Sequence, residues 1–513
     1  MRFVVRASYR TLPLILLLGQ LAATVHGQNI YVYPGNFGPS NGTPEHPYPT
    51  LASAAAAAPA GSTLVLQGYQ YTNAFTITYP ETGSLPLIIN KNLKLTTQDG
   101  AAQIGQPLGT QRLWQLTGET DLERGTNTPG QTVTRFGVLG TDLGSSFEHG
   151  DRIYFLFGDT IPSFNAHEKR PKDTDSVAWI PADTDPEKPV SLNFITADDG
   201  YYGTPNIHVP PGVPRVISQQ KCEVPLSGFS ANGQMYVFFS TDRYPVGSDE
   251  CNMGSSVLTK LNRFDNPEGW FDYLYDVSCR PEICPSFTNK GKFINIAPVV
   301  VTNANFHDLI QEIGKGEGVL LWGSGLYHRS NPYLAFLPLN GIENSTNWSY
   351  AVTDGAGVRW STNEADATCL FDQPWLPPEA EGGIGELSVA SIPYVDAHGN
   401  TTNKWIMTYN HLTPFGIHYR VADKPWGSWD GPYVLFDPSL DRGFGHFIQE
   451  RTATQEGGAP YGPYVISRFT KSDATTATIY WTMSTWDPYQ VMLMKSTLRL
   501  SDWRRVDHLL PSR

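Results

Sequence analysis

One β-hairpin pattern recurs along this chain, and the recurrence constrains the fold more than any other feature. The clearest copy is TDLGSSFEHGDRIYFLFGDT, Thr141 to Thr160. Its runs Leu143 to Phe147 and Arg152 to Phe157 read as strands joined at Glu148-His149-Gly150-Asp151, where Gly150 can take the positive φ of a tight turn. Val224 to Asp242 repeats the pattern without a gap: Asn232-Gly233 replaces His149-Gly150, Asp242 replaces Asp159, and Pro225 stands where Asp142 stood. A third copy runs from Ile296-Ala297-Pro298 to Gly325. A fourth runs from Glu386 through Gly399-Asn400 to Asn410, and a fifth from Tyr461-Gly462-Pro463-Tyr464 to Trp486. Repeats spaced more widely than those of a solenoid suit four-stranded blades with insertions. Five of them predict a five-bladed β-propeller in which each innermost strand begins at one mouth of the channel.

Composition fits an all-β protein destined for export. MRFVVRASYR is basic, TLPLILLLGQLAA is an apolar run too short to span a bilayer, and small residues follow up to Gly27, the pattern of a cleaved signal peptide over residues 1–27. The expected localisation is secreted and extracellular, with no membrane span. Aromatics at 12%, 48 glycines and 40 prolines suit strands punctuated by turns. A net charge of −13 argues against nucleic acid as a partner, and a monomer is expected.

The stretch from Asn29 to about Gln106 has a different character. It resembles the cap and first rung of a right-handed parallel β-helix, with a Pro-Tyr-Pro-Thr-Leu segment, an Ala-rich helix and a Gly-Ser-Thr-Leu-Val-Leu strand. The predicted organisation is a signal peptide (1–27), a β-helix-like accessory module (28–108) and the propeller (109–513). Five cysteines allow two bridges and a spare thiol in an oxidising compartment. Cys279 and Cys284 can close a small loop. Cys222 and Cys251 can brace an insertion from about Tyr244 to Cys284, leaving Cys369 buried and free. Glycosylation sequons begin at Asn41, Asn344, Asn347 and Asn400. No cofactor or metal is expected, since the cysteine spacing fits no zinc motif and no dense oxygen-ligand motif is present.

The first hairpin carries an acid on each open end. Pairing about the turn sets Asp142 opposite Phe157, with Asp159 a diagonal neighbour at roughly 7–8 Å. Acids roughly 6.5–9.5 Å apart suit inverting hydrolysis of a glycosidic bond. Asp142 is the candidate general base and Asp159 the candidate acid, although the order could be reversed. Glu386 takes the Asp142 position of the fourth copy and could instead be the acid, or a strand-start hydrogen-bonding group. Trp486, Tyr489 and Gln490 suit a sugar-stacking platform with a polar handle, core packing being the alternative for Trp486. His411 and Arg468 are weaker rim candidates, a satisfied polar residue between blades being the favoured alternative for each.

The motifs TDLGSSF with FLFGDT, GELSVAS with WIMTYN, and GPYVISRF with IYWTMSTWDPYQVMLM resemble a secreted bacterial and fungal family. That family was long described only as a domain of unknown function and was then recognised as containing endo-D-arabinanases. The resemblance spans about Trp114 to Leu500. It implies a five-bladed propeller that hydrolyses internal α-D-arabinofuranosyl linkages of a polysaccharide, with the family's two essential aspartates falling on Asp142 and Asp159. A non-catalytic carbohydrate-binding propeller and a structural cell-surface protein are the competing readings.

Overall fold

The computed structural model describes residues 28–505 apart from 33–38, 50, 60–61, 67–93, 98–108, 244–251, 285–290, 354–356, 373–382, 397–398, 413–414, 440 and 451–456. The expected signal peptide (1–27) and Cys251 therefore lie outside the described residues.

Five antiparallel sheets form the propeller, each built around one of the five hairpins. Blade one runs outward through Val138–His149, Arg152–Pro162, Thr174–Pro181 and Asn193–Phe194. Blade two runs through Pro225–Ala231, Gln234–Thr241, Ser255–Leu261 and Phe271–Cys279, with Ile207–His208 added in parallel at its edge. Blade three uses Asn295–Val301, Gly318–Ser324, Tyr333–Pro338, Ser349–Thr353 and Val358–Ser361. Blade four uses Leu387–Val395, Thr401–Leu412, Phe415–Ala422 and Asp430–Phe436. Blade five runs through Ala459–Val465, Thr476–Trp486 and Gln490–Arg499, and its outer strand is Thr110–Gln115 from the start of the propeller sequence. That last pairing closes the ring, because a strand from one end of the sequence completes a sheet built from the other. The segment read as a cysteine-bearing insertion supplies the third and fourth strands of blade two.

Why the strands are hydrophobic throughout follows from the stacking of blades. In Arg152–Pro162 successive side chains point to opposite faces. Ile153, Phe155 and Phe157 pack toward blade five, against Tyr480, Val491 and Leu493. Tyr154 and Leu156 pack toward blade two, against Met235, Val237 and Phe239. Both faces of the strand are buried, so its sequence reads as a continuous apolar run and not as an alternation. Blades two and three meet through Phe238, Leu258, Ile296 and Leu321, and blades three and four through Trp322, Phe336, Trp405 and Met407. Each fully buried large side chain contributes on the order of 1.5–3 kcal/mol.

The N-terminal residues form a separate parallel sheet. Asn29 pairs with Thr63 and Thr63 with Lys94, so Asn29–Val32, Thr63–Leu66 and Lys94–Thr97 stack in register as rungs of a β-helix-like module. The helix Leu51–Ala57 places Ala54 and Ala55 against Ile30, Val32 and Leu64. Described residues between 28 and 110, with 436–443 and Arg505, make one compact unit, and 111–435 with 444–504 make the other.

Cys279 and Cys284 form the expected disulfide. Cys222 is also disulfide-bonded, its expected partner being outside the described residues. Cys369 is free, but it is half-buried and not enclosed, and its thiol donates to Asp372 Oδ1 (3.4 Å). Asn41, Asn344 and Asn400 are exposed, whereas the amide nitrogen of Asn347 is turned onto the Gly341 carbonyl (3.0 Å).

Candidate active site

The first hairpin folds about its turn with His149 opposite Arg152, tighter than the sequence reading assumed. A β-bulge between Leu143 and Ser145 then shifts the register back by one residue. Asp142 therefore faces Gly158, and Leu143, not Asp142, faces Phe157. Leu143 (φ 64°) and Gly144 (φ 88°) both adopt left-handed backbone at this bulge. A bulge beside a reactive group re-aims its side chain. Here the missing Cβ of Gly158 makes the room: a Cβ there would lie 3.0 Å from Asp142 Oδ1.

Asp142 is buried with unequal treatment of its two oxygens. Tyr461 donates its hydroxyl to Oδ2 (3.0 Å), and the Tyr489 hydroxyl also bonds the carboxylate. Oδ1 has no hydrogen-bond partner among the described residues. Burial pushes the group up to about 6 against the pull of the two tyrosines. Asp159 lies on the second strand in left-handed backbone (φ 38°), where the backbone N–H of Cys222 donates to both its oxygens (2.8 and 3.0 Å). Burial first, and repulsion from Asp142 second, push Asp159 up to about 8. The two acids sit close enough to perturb each other, and their proton affinities are set apart.

Two more carboxyls join them. Asp175, at the start of the third strand of blade one, is buried, accepts the backbone N–H of Asp159, and is raised well above the ordinary range by burial and by Asp159 and Asp142. Sequence reasoning missed it; the signal available was an acid opening the buried strand DSVAWI. Glu386 immediately precedes the inner strand of blade four. It accepts the Tyr327 hydroxyl at Oε1 (2.7 Å) and is pushed up to about 7, chiefly by burial. Tyr461 and Tyr464, on the inner strand of blade five, feel both Asp142 and Glu386 and lie at the same mouth. Among the described residues, no group of three or more histidine, cysteine or carboxylate side chains stands where it could hold a metal ion.

The remaining candidates divide. Trp486 is 56% exposed and meets Tyr489 edge-on (5.6 Å between ring centres), so it extends from the acid-binding tyrosine into solvent. His411 is buried beside His328 at the same end of blade four. Gln490 has both ends of its amide engaged: Thr117 donates to Oε1 (2.7 Å) and Nε2 donates to the Leu139 carbonyl (3.0 Å), so it ties the ring closed. Arg468 lies at the other end of the hairpin, paired with Glu148 (3.7 Å) and the Ala182 carbonyl (3.2 Å), about 20 Å along the strand from Asp142 at roughly 3.3 Å per residue. At the corresponding position of blade two, Asp242 is ion-paired with Arg215.

Several solved structures are similar to this chain at low identity. An endo-arabinase from Bacteroides thetaiotaomicron VPI-5482 is 12% identical over 68% of this chain and 89% of its own, with a TM-score of 0.32. An endo-1,5-alpha-L-arabinanase from Thermotoga petrophila RKU-1 is 10% identical over 73% of this chain and 75% of its own, with a TM-score of 0.37. A GH43_1 enzyme from Xanthomonas citri is 11% identical over 72% and 91%, with a TM-score of 0.36. No curated protein matches the chain. The family model for the domain of unknown function DUF4185 matches residues 127–495, from ahead of the first acid to the last strand of blade five, and the chain belongs to that family.

Proposed function

We propose that this protein is a secreted glycoside hydrolase that cleaves internal arabinofuranosyl linkages, α-D-arabinan being the first substrate to test. The observation that carries the reading is the Asp142–Asp159 pair at the channel mouth, with one carboxyl raised to about 6 and its neighbour to about 8. At neutral pH Asp159 holds a proton while Asp142 is largely ionised. In the proposed step Asp159 protonates the glycosidic oxygen. Asp142 accepts a proton from water at its free Oδ1, and the water oxygen attacks the anomeric carbon as the bond to the leaving sugar breaks. Trp486 offers a flat apolar face to the chain of sugars. Residues 28–108 are read as an accessory module, and the Cys279–Cys284 bridge favours an oxidising, extracellular setting.

Incubation of the purified protein with D-arabinan, L-arabinan and fructan, followed by analysis of released oligosaccharides, tests the reading. Short oligosaccharides from D-arabinan alone support it, and proton NMR of the first product gives the anomeric configuration, inverted in a single displacement. Binding without release from any of the three would make the propeller a carbohydrate-binding module and remove the catalytic assignment.

A further inference from the structure

Beside the acid pair, blades three and four build a second polar cluster whose hydrogen bonds are incomplete in a specific way. Glu386, Asn410 and His328 are 5%, 4% and 7% exposed. The Asn410 amide donates to the Tyr327 hydroxyl, and that hydroxyl donates to Glu386 Oε1 (2.7 Å). This chain fixes the polarity of every member. It leaves Asn410 Oδ1 and Glu386 Oε2 without donors, and His328 Nδ1 is likewise unpartnered. Gly385 lets them converge: a Cβ there would lie 2.3 Å from Asn410 Oδ1 and 2.6 Å from His328 Cε1. Asn295 holds the Gly385 carbonyl from below (3.0 Å), so the glycine backbone is pinned. Asn410 lies two residues before the end of the second strand of its blade.

Buried polar atoms are normally satisfied, and a group of three orphans on a rigid frame at a channel mouth marks a place where a ligand completes the bonding. Two of the three can only accept while Glu386 is ionised, so the missing partner is a donor. We propose that Asn410, Glu386 and His328 form a subsite that reads the hydroxyl groups of the sugar unit next to the one being cleaved. This rests on the proposed function and adds to it a set of binding residues, with Tyr327 as the positioning residue that orients them. His328, pushed down to about 4 by burial and by His411, stays neutral and able to take part at any pH where the site works.

Calorimetric titration of the Asp142→Asn protein with an α-D-arabinofuranosyl hexasaccharide separates binding from hydrolysis. Asn410→Leu in that background is expected to weaken binding roughly three- to tenfold, the worth of one hydrogen bond between uncharged groups. Hexasaccharides lacking one hydroxyl supply the second arm, which no folding defect can mimic. One deoxy sugar should bind the Asp142→Asn protein more weakly by the same factor, yet bind the Asn410→Leu protein no more weakly than the parent sugar does. If wild-type protein cleaves arabinan but neither Asn410→Leu nor any deoxy sugar changes affinity, the subsite is refuted and the enzyme reading stands. If the hexasaccharide neither binds nor is cleaved, both fall.

Discussion

Replacing Asp159 by asparagine should stabilise the folded protein, and stabilise it more at alkaline than at acid pH. In the folded chain Asp159 is raised from 3.8 to about 8 by burial and by the neighbouring Asp142. An acid with a raised folded pKa contributes most below its unfolded value, near 3.8, and that contribution is lost as pH climbs to the folded value, near 8. Each unit corresponds to about 1.4 kcal/mol, so between pH 5 and pH 9 the ionising group costs the fold up to about 4 kcal/mol. Part of that is repulsion shared with Asp142, and about 2 kcal/mol is the expected differential gain for the variant. Asparagine keeps an acceptor for the Cys222 N–H, so little else changes. In thermal unfolding of both proteins at pH 5 and pH 9, the gain in Tm should be larger at pH 9 by about 2–3 °C. The same substitution should remove the acid step and with it roughly 10²–10⁴ of the rate. An equal Tm difference at the two pH values would mean that Asp159 titrates as an ordinary carboxylate, and the acid assignment would lose its physical basis.

Three further outcomes follow from the same geometry. The pH profile of kcat/KM should be bell-shaped, with limbs near 6 and 8, because activity needs Asp142 ionised and Asp159 protonated; a profile flat from pH 5 to 9 contradicts this. Tyr461→Phe removes a donor to the charged form of Asp142, worth about 1.5–3 kcal/mol, and should move the lower limb up by about one pH unit or more while the upper limb moves less. Trp486→Ala should raise KM for long arabinan about tenfold through lost stacking and leave Tm unchanged, since the ring is exposed; a drop in Tm would make it a packing residue.

Much of the fold was legible in the chain because blades are local. Each hairpin forms between residues less than about thirty apart, and its apolar runs and turn glycines carry the instruction in one short segment. The second strands of all five blades, which contain FLFGDT, VFFST, GVLLWGS, WIMTYNHL and YWTMSTW, stand where the repeats put them. The proposed pair Asp142 and Asp159 could be singled out for the same reason, since both belong to one hairpin. The register was not legible, because a bulge at Leu143-Gly144 depends on left-handed backbone that a leucine rarely adopts unless tertiary packing holds it there.

What the local sequence could not decide is what surrounds the acids. Tyr461 lies 319 residues from Asp142, and Thr117 lies 373 from its ring-closing partner Gln490. Those meetings exist only because five blades close into a circle. The channel mouth then gathers strand ends from blades one, three, four and five, and excludes enough water to raise Asp142, Asp159 and Glu386 together. A carboxylate's identity is written in the sequence, whereas its proton affinity is a property of the dielectric and charges around it, and closure of the ring set both.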